Sequence, residues 1–84
     1  MVFFILCHST ILSAEIKSWT GFGGDASWNN PLNWSGGSLP QSTDVVLLDN
    51  ADLPVSYQVT LPNAAVILKS IVISPSPGRN IELI

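Results

Sequence analysis

The sequence predicts an all-β chain, and three observations predict it. After Asp44, apolar residues come either in short β-branched runs or in strict alternation with polar ones, the two patterns that fit a pleated strand. Turn residues (Gly, Pro, Asn) separate these runs at spacings of about nine to fifteen residues, as in a sandwich, barrel or solenoid. Between Trp19 and Gln41, a run of Gly, Asn, Ser and Pro disfavours helix, and no helix is expected anywhere. At 84 residues, the chain has room for one small unit.

Residues 1–14 differ from the rest, with ten apolar residues of fourteen. A helix of that length spans about 21 Å, short of a bilayer core of about 30 Å, so no membrane span is expected. The stretch reads as the apolar part of a secretory signal peptide, with Ser13 and Ala14 as small residues at a cleavage site. No Lys or Arg precedes Val2, which suggests that the signal is truncated at its N-terminus and that the true start lies upstream. A hydrophobic first strand is the alternative reading.

Residues 15–43 form a Trp/Gly-rich segment that holds all three Trp and five of the six Gly. Loop and short strand are expected here. Gly21, Gly23 and Gly24 superficially resemble a phosphate-cradling loop, but no strand precedes them, no amphipathic helix follows, and no Lys-Ser or Lys-Thr closes the motif. Nucleotide binding is therefore not expected.

Residues 44–84 read as successive strands. Val45 to Leu48 is an apolar run closed by the turn pair Asp49-Asn50. Tyr57 to Leu61 alternates, which places Tyr57, Val59 and Leu61 on one face. Ala65 to Ile73 is rich in β-branched residues, with Lys69-Ser70 as a corner. After Pro75-Ser76-Pro77-Gly78, Asn80 to Ile84 begins another alternating strand. An apolar strand in that place leads to the expectation that these residues are the first part of a longer protein.

Charge and residue inventory restrict the chemistry. Three basic and six acidic residues give a net charge of −3, and Lys17, Lys69 and Arg79 are isolated from one another, so no nucleic-acid partner is expected. Cys7 and His8 are the sole cysteine and histidine, and both lie in the expected signal segment. A mature chain without them has no Ser-His-Asp or Cys-His apparatus, no imidazole metal ligand and no disulfide, and no cofactor or metal is expected. Asp44, Asp49, Asn50 and Asp52 carry oxygens that suit Ca²⁺, but without the spacing of a known calcium loop, and strand-start and turn roles are expected instead.

The segment Trp19-Thr-Gly-Phe-Gly-Gly-Asp-Ala-Ser-Trp28-Asn-Asn-Pro-Leu-Asn-Trp34-Ser, followed by Leu39-Pro40 and Asp44-Val-Val-Leu-Leu, resembles the entry segment of large secreted bacterial surface proteins of the parallel β-helix type, including autotransporter-like and Bacteroidetes-type adhesins. Tyr57-Gln-Val-Thr-Leu and Leu68-Lys-Ser-Ile-Val-Ile resemble the first solenoid coils of such proteins. The resemblance covers Trp19 to Ile84. It implies an N-terminal cap and the first coils of a right-handed parallel β-helix, incomplete at the C-terminus. It also implies an extracellular or outer cell-surface location, with an adhesin-like scaffold role and no enzymatic activity. The implied partners are the remainder of a longer solenoid chain and a surface polysaccharide or host cell-surface ligand. The long repetitive body and the C-terminal sorting or membrane-barrel region of that family are not in this sequence.

Two roles are open for the tryptophans. Each ring buries up to about 250 Å², worth several kcal/mol for the three together at about 25 cal/mol per Å². In one role, Trp19, Trp28 and Trp34, with Phe22 and Leu32, plug the uncovered end of a stack of coils, because terminal repeats need a cap. In the other, exposed rings stack on sugar faces while Asn29, Asn30 and Asn33 hydrogen-bond hydroxyls, which makes the chain a small antiparallel β-sandwich that binds carbohydrate. A fragment of a polysaccharide-cleaving β-helix enzyme, working with paired carboxylates, is a further alternative. Asn33-Trp34-Ser35 matches the N-glycosylation pattern, which has meaning only in a eukaryotic secretory pathway.

Overall fold

A computed structural model describes residues 15–84; the expected signal segment, with Cys7 and His8, lies outside the described residues. Five strands carry the fold: β1 (Ile16–Ser18), β2 (Val45–Asp49), β3 (Tyr57–Val59), β4 (Ser70–Ser74) and β5 (Ile81–Leu83). They form a three-stranded sheet in the order β1-β2-β4 and a two-stranded sheet of β3 and β5.

Every ladder is parallel. Ile16 lies opposite Val45, and Val45 opposite Ser70; in the second sheet Tyr57 lies opposite Ile81. An isolated parallel bridge joins Ser27 to Thr60, and the one antiparallel pairing among the described residues is the isolated bridge from Trp19 to Trp34. The antiparallel alternative from the sequence is thus corrected: no named strand pairs antiparallel, because each connection carries the chain away from one sheet and returns it in the same direction.

Parallel pairing without a register slip stacks like residues in rows. Val46 and Leu48 are fully buried on one face of β2, and Ile71 and Ile73 stand beside them on β4. Lys17 occupies the same row on β1, and its stem is buried while its ammonium reaches Ser38 Oγ (2.7 Å) and the Glu15 carboxylate (3.1 Å). A long cationic side chain can cover apolar neighbours in this way and keep its charge bonded.

Ile16–Ser18 pairs as a short strand. Two local expectations are corrected. One 3₁₀ turn, Pro31–Asn33, stands where no helix was expected, and at Ser35–Gly37 a tight turn follows, with Gly36 in the left-handed region (φ 78°) and the Gly37 amide donating to the Trp34 carbonyl (3.0 Å). The first starts because Pro31 sits at its first position and the Asn30 side chain accepts from the Leu32 amide (3.0 Å), a side-chain cap for a donor with no intrahelical partner. Ala65 to Leu68 lies outside the strand, which starts at Ser70, after the Lys69 amide donates to the Asp44 carbonyl (3.0 Å).

The core holds Trp19, Trp28, Trp34, Val46, Leu48 and Val59, with Leu39, Leu53, Tyr57, Leu68, Ile81 and Leu83 packed against it. No helix among the described residues is long and apolar enough to cross a membrane.

Candidate functional site

The chemistry-bearing residues collect in the segment between β1 and β2, where three indoles and an amide network share one volume. Trp19, Trp28 and Trp34 are 1%, 4% and 2% exposed. Trp34 meets Trp19 edge-on at 5.0 Å between ring centroids and Trp28 at 4.8 Å, while Trp19 stacks nearly parallel on Tyr57 at 6.2 Å. Edge-to-face contact sets the positive rim of one ring against the negative face of the next. The Trp34 Nε1–H donates to the Trp28 carbonyl (2.8 Å), so its polar edge has a partner in the interior. The Trp19 Nε1–H has none.

Asn33 ties the loop around these rings. It is fully buried; its Oδ1 accepts from the Gly23 amide (2.8 Å), and its Nδ2 donates to Asp25 Oδ1 (2.7 Å) and to the Ser27 carbonyl (3.0 Å). A Cβ at Gly23 would stand 2.5 Å from Asn30 Nδ2 and 2.7 Å from Asn33 Oδ1, so any larger residue there pushes these two amides from their partners. The Asp25 carboxylate also accepts from the Ser27 amide (3.2 Å) and from Asn30 Nδ2 (3.2 Å). These bonds hold its pKa below the ordinary 3.8, with the Asn33 amide the largest cause, then the Ser27 amide and the Asn30 side chain.

This geometry corrects the sugar-platform reading. Trp19, Trp28 and Trp34 present their faces to each other and to Tyr57, not to solvent. Asn33 is enclosed, and both ends of the Asn30 side chain are already hydrogen-bonded. Of the residues assigned to that platform, only Asn29 is exposed. The plug reading loses two members for the opposite reason: Phe22 and Leu32 are 73% and 63% exposed. The Asn33 amide of the Asn-Trp-Ser pattern faces Asp25 inside the fold, out of reach of a glycosyl donor.

Of the four side chains weighed for calcium, Asp44, Asp49 and Asn50 have oxygens bonded to backbone. Asp44 accepts from the Gln41 amide (2.7 Å) and the Glu15 amide (3.2 Å), and Asp49 from the Ala51 amide (3.2 Å). Asn50 donates to the Leu53 and Val55 carbonyls (both 2.9 Å) and accepts from the Ser76 amide (2.8 Å). Among the described residues, no three His, Cys, Asp or Glu side chains come together as metal ligands do.

The sequence reading missed an open groove of about 440 Å³ on the β3–β5 sheet, lined by Ser56, Tyr57, Gln58, Asn80 and Glu82. Gln58 Nε2 donates to Glu82 Oε1 (2.9 Å) across the parallel pair, and the Asn80 amide donates to Ser56 Oγ (2.9 Å). The Tyr57 hydroxyl turns inward to the Asp49 carbonyl (2.7 Å), and burial together with the Asp49 charge raises its pKa to about 12. Alternation alone places Gln58 and Glu82 outward, but only the register brings them together. Glu82 is the one carboxylate in the lining. No family model, curated protein or solved structure matches this chain.

Proposed function

We propose that the chain is a non-enzymatic scaffold: the cap and first coils of a right-handed parallel β-helix, from a secreted or cell-surface protein of adhesin-like type. The observation that carries this reading is the unslipped parallel pairing of β1, β2 and β4, with a second parallel pair formed by β3, which follows β2, and β5, which follows β4. A coil that climbs by one strand spacing per turn pairs its strands this way. The indole cluster belongs to the first turn, the place where a stack of coils needs a cover. The Trp-x-Gly, Trp and Asn-Trp motifs that resemble the adhesin entry segment lie in that turn. Extracellular placement rests on the signal-like residues 1–14, and the remainder of a longer solenoid chain is the implied partner.

The polysaccharide-cleaving alternative has less support, because the described groove offers one carboxylate and glycoside hydrolysis works with two. Purified full-length chain mixed with a panel of surface polysaccharides tests the scaffold reading. Tryptophan emission is expected to be blue-shifted, resistant to iodide and unchanged by sugar, with no reducing ends released. A saturable sugar-induced shift would make the chain a carbohydrate-binding module, and released reducing ends would make it an enzyme. A left-handed path from β2 through β3 to β4 in a crystal structure would remove the right-handed assignment, and antiparallel ladders would remove the β-helix class itself.

A further inference from the structure

We propose that the free edge of β4 pairs antiparallel with β4 of a second copy, about a two-fold axis at Val72. This goes beyond the scaffold reading and concerns the eighty-four-residue chain itself; an added coil would compete for the same edge. β4 stands at the border of its sheet, and all five of its residues are exposed. No charge or proline lies within Ser70 to Ser74, so its outer amides and carbonyls are open to another strand. The opposite border differs: β1 is three residues long and carries Lys17 in an ion pair with Glu15, two features that blunt an edge.

The sequence of β4 selects a second copy over other strands. Ser70-Ile71-Val72-Ile73-Ser74 reads the same in both directions. Rotated about Val72, it sets Ile71 opposite Ile73 of the copy, Ser70 opposite Ser74, and Val72 opposite itself. Like residues then meet at each position, apolar against apolar and hydroxyl against hydroxyl. A two-fold contact of this kind is self-complementary and closes at two chains. Lys69 on one side and Pro75 on the other limit the ladder to the five pairs.

The surface around β4 is open and apolar: none of the residues from Leu61 to Ile84 is buried. Most of the exposed large apolar residues among the described ones lie there, including Ile67, Ile71, Val72 and Ile73. Ile71 and Ile73 continue the row of Val46 and Leu48, so the second copy would cover the row on its open side.

Sedimentation equilibrium of the full chain tests the pairing, with a reversible monomer–dimer equilibrium and no larger species expected. Val72→Lys places two ammonium groups at the axis and is expected to weaken the dimer by about tenfold or more at low salt. Tryptophan emission should be unchanged, because the Val72 side chain is exposed and away from the indoles. In a Cys7→Ser background, Val72→Cys is expected to cross-link to itself on mild oxidation, since directly paired antiparallel residues have Cα atoms about 4.5–5.5 Å apart, within disulfide range. A monomer at all concentrations would overturn the proposal, and slow exchange of the β4 amides in it would mean that another part of the chain covers the edge. A dimer that tolerates Val72→Lys and forms no cross-link, or a series of ever larger species, would overturn it as well. None of these results bears on the path of the coils, so the scaffold reading is tested separately.

Discussion

Trp19 to Trp34 and Leu61 to Ile84 invert the usual relation between hydropathy and burial. Half of the first stretch is Gly, Asn, Ser and Asp, yet it buries three indoles, Thr20 and the Asn33 amide. The second is rich in Val, Ile and Leu and buries none of its residues. The difference lies in what stands beside each. The indoles touch one another, Tyr57 and the buried row of β2, whereas β4 and β5 have a neighbour on one side among the described residues. A strand contributes to a core only when its row is covered along the sheet as well as beneath it. The first stretch should therefore be sensitive to substitution, and the second nearly indifferent except at Leu68, Ile81 and Leu83, which pack against the core.

The largest expected effect is at Trp34. Trp34→Ala removes an enclosed ring, both edge-to-face contacts and the donor to the Trp28 carbonyl. Large-to-small changes of this kind cost about 3–5 kcal/mol. That is most of the stability of a chain whose total is of order 5 kcal/mol. Urea titration followed by the remaining tryptophan emission should show no folded baseline. A cooperative transition near the wild-type midpoint would mean that the ring cluster is not the centre of the core.

Next is Asn33→Ala, which leaves the Gly23 amide and the Ser27 carbonyl without their partner and removes the closest donor to Asp25. Orphaned buried polar groups cost about 1–3 kcal/mol each, and part of the loss is recovered by water, so roughly 2–3 kcal/mol is expected from chemical denaturation. Asn29→Ala is the internal control, since Asn29 is exposed and should change nothing measurable. Equal losses at the two positions would contradict the network.

How much of this was legible beforehand differs from residue to residue. Val45 to Leu48 announces a strand, and Tyr57 and Val59 announce a shared face, because alternation is a local property. Strand direction is not local: the period is two residues in parallel and antiparallel pairs alike, so both a sandwich and a solenoid fit the pattern. At Ala65 to Ile73 the corner expected at Lys69-Ser70 lies where the strand starts, whereas the β-branched composition of Ala65 to Leu68 does not say that this half stays unpaired; pairing of Ser70 with Val45 decides that. In the candidate site, the size of the indoles pointed to a core, but an exposed sugar platform fitted the same residues, and only their burial separates the two. The role of Asp25 was not legible, although Asp25 and Ser27 at a spacing of two carry the signature of a turn in which a carboxylate accepts from a following amide. Phe22 and Leu32 misled because apolar identity does not say which side of a turn a residue occupies.

The pH dependence separates the two ends of the titration range. The Asp25 pKa is lowered in the fold, so its bonds stabilise the chain above the ordinary carboxylate value of 3.8, and that contribution is lost as pH falls through the lowered value. The effect is modest because the carboxylate is open to solvent. Tyr57 has the opposite sign. Its pKa is raised from 10.0 to about 12, so the neutral hydroxyl is stabilising below pH 10.0 and the contribution is lost as pH rises from there through about 12. Melting temperatures across pH should fall at both ends. Asp25→Asn should flatten the acid limb and Tyr57→Phe the alkaline one. A loss at pH 6 in the wild type would match neither group.

The smallest effect expected is at Ile67, and it is the sharpest test of the inversion. Ile67→Ser replaces one of the most apolar side chains in the sequence at a position that is 71% exposed and outside any strand. Hydropathy alone assigns it a loss of the size of a core truncation. Exposure assigns it a change within about 0.5 kcal/mol, the range of ordinary surface positions. The measurement belongs below the concentration at which two copies associate, so that only the fold is read. A loss comparable to that of Asn33→Ala would mean that some other segment of the chain lies over residues Leu61 to Ile84, and that the second stretch is covered after all.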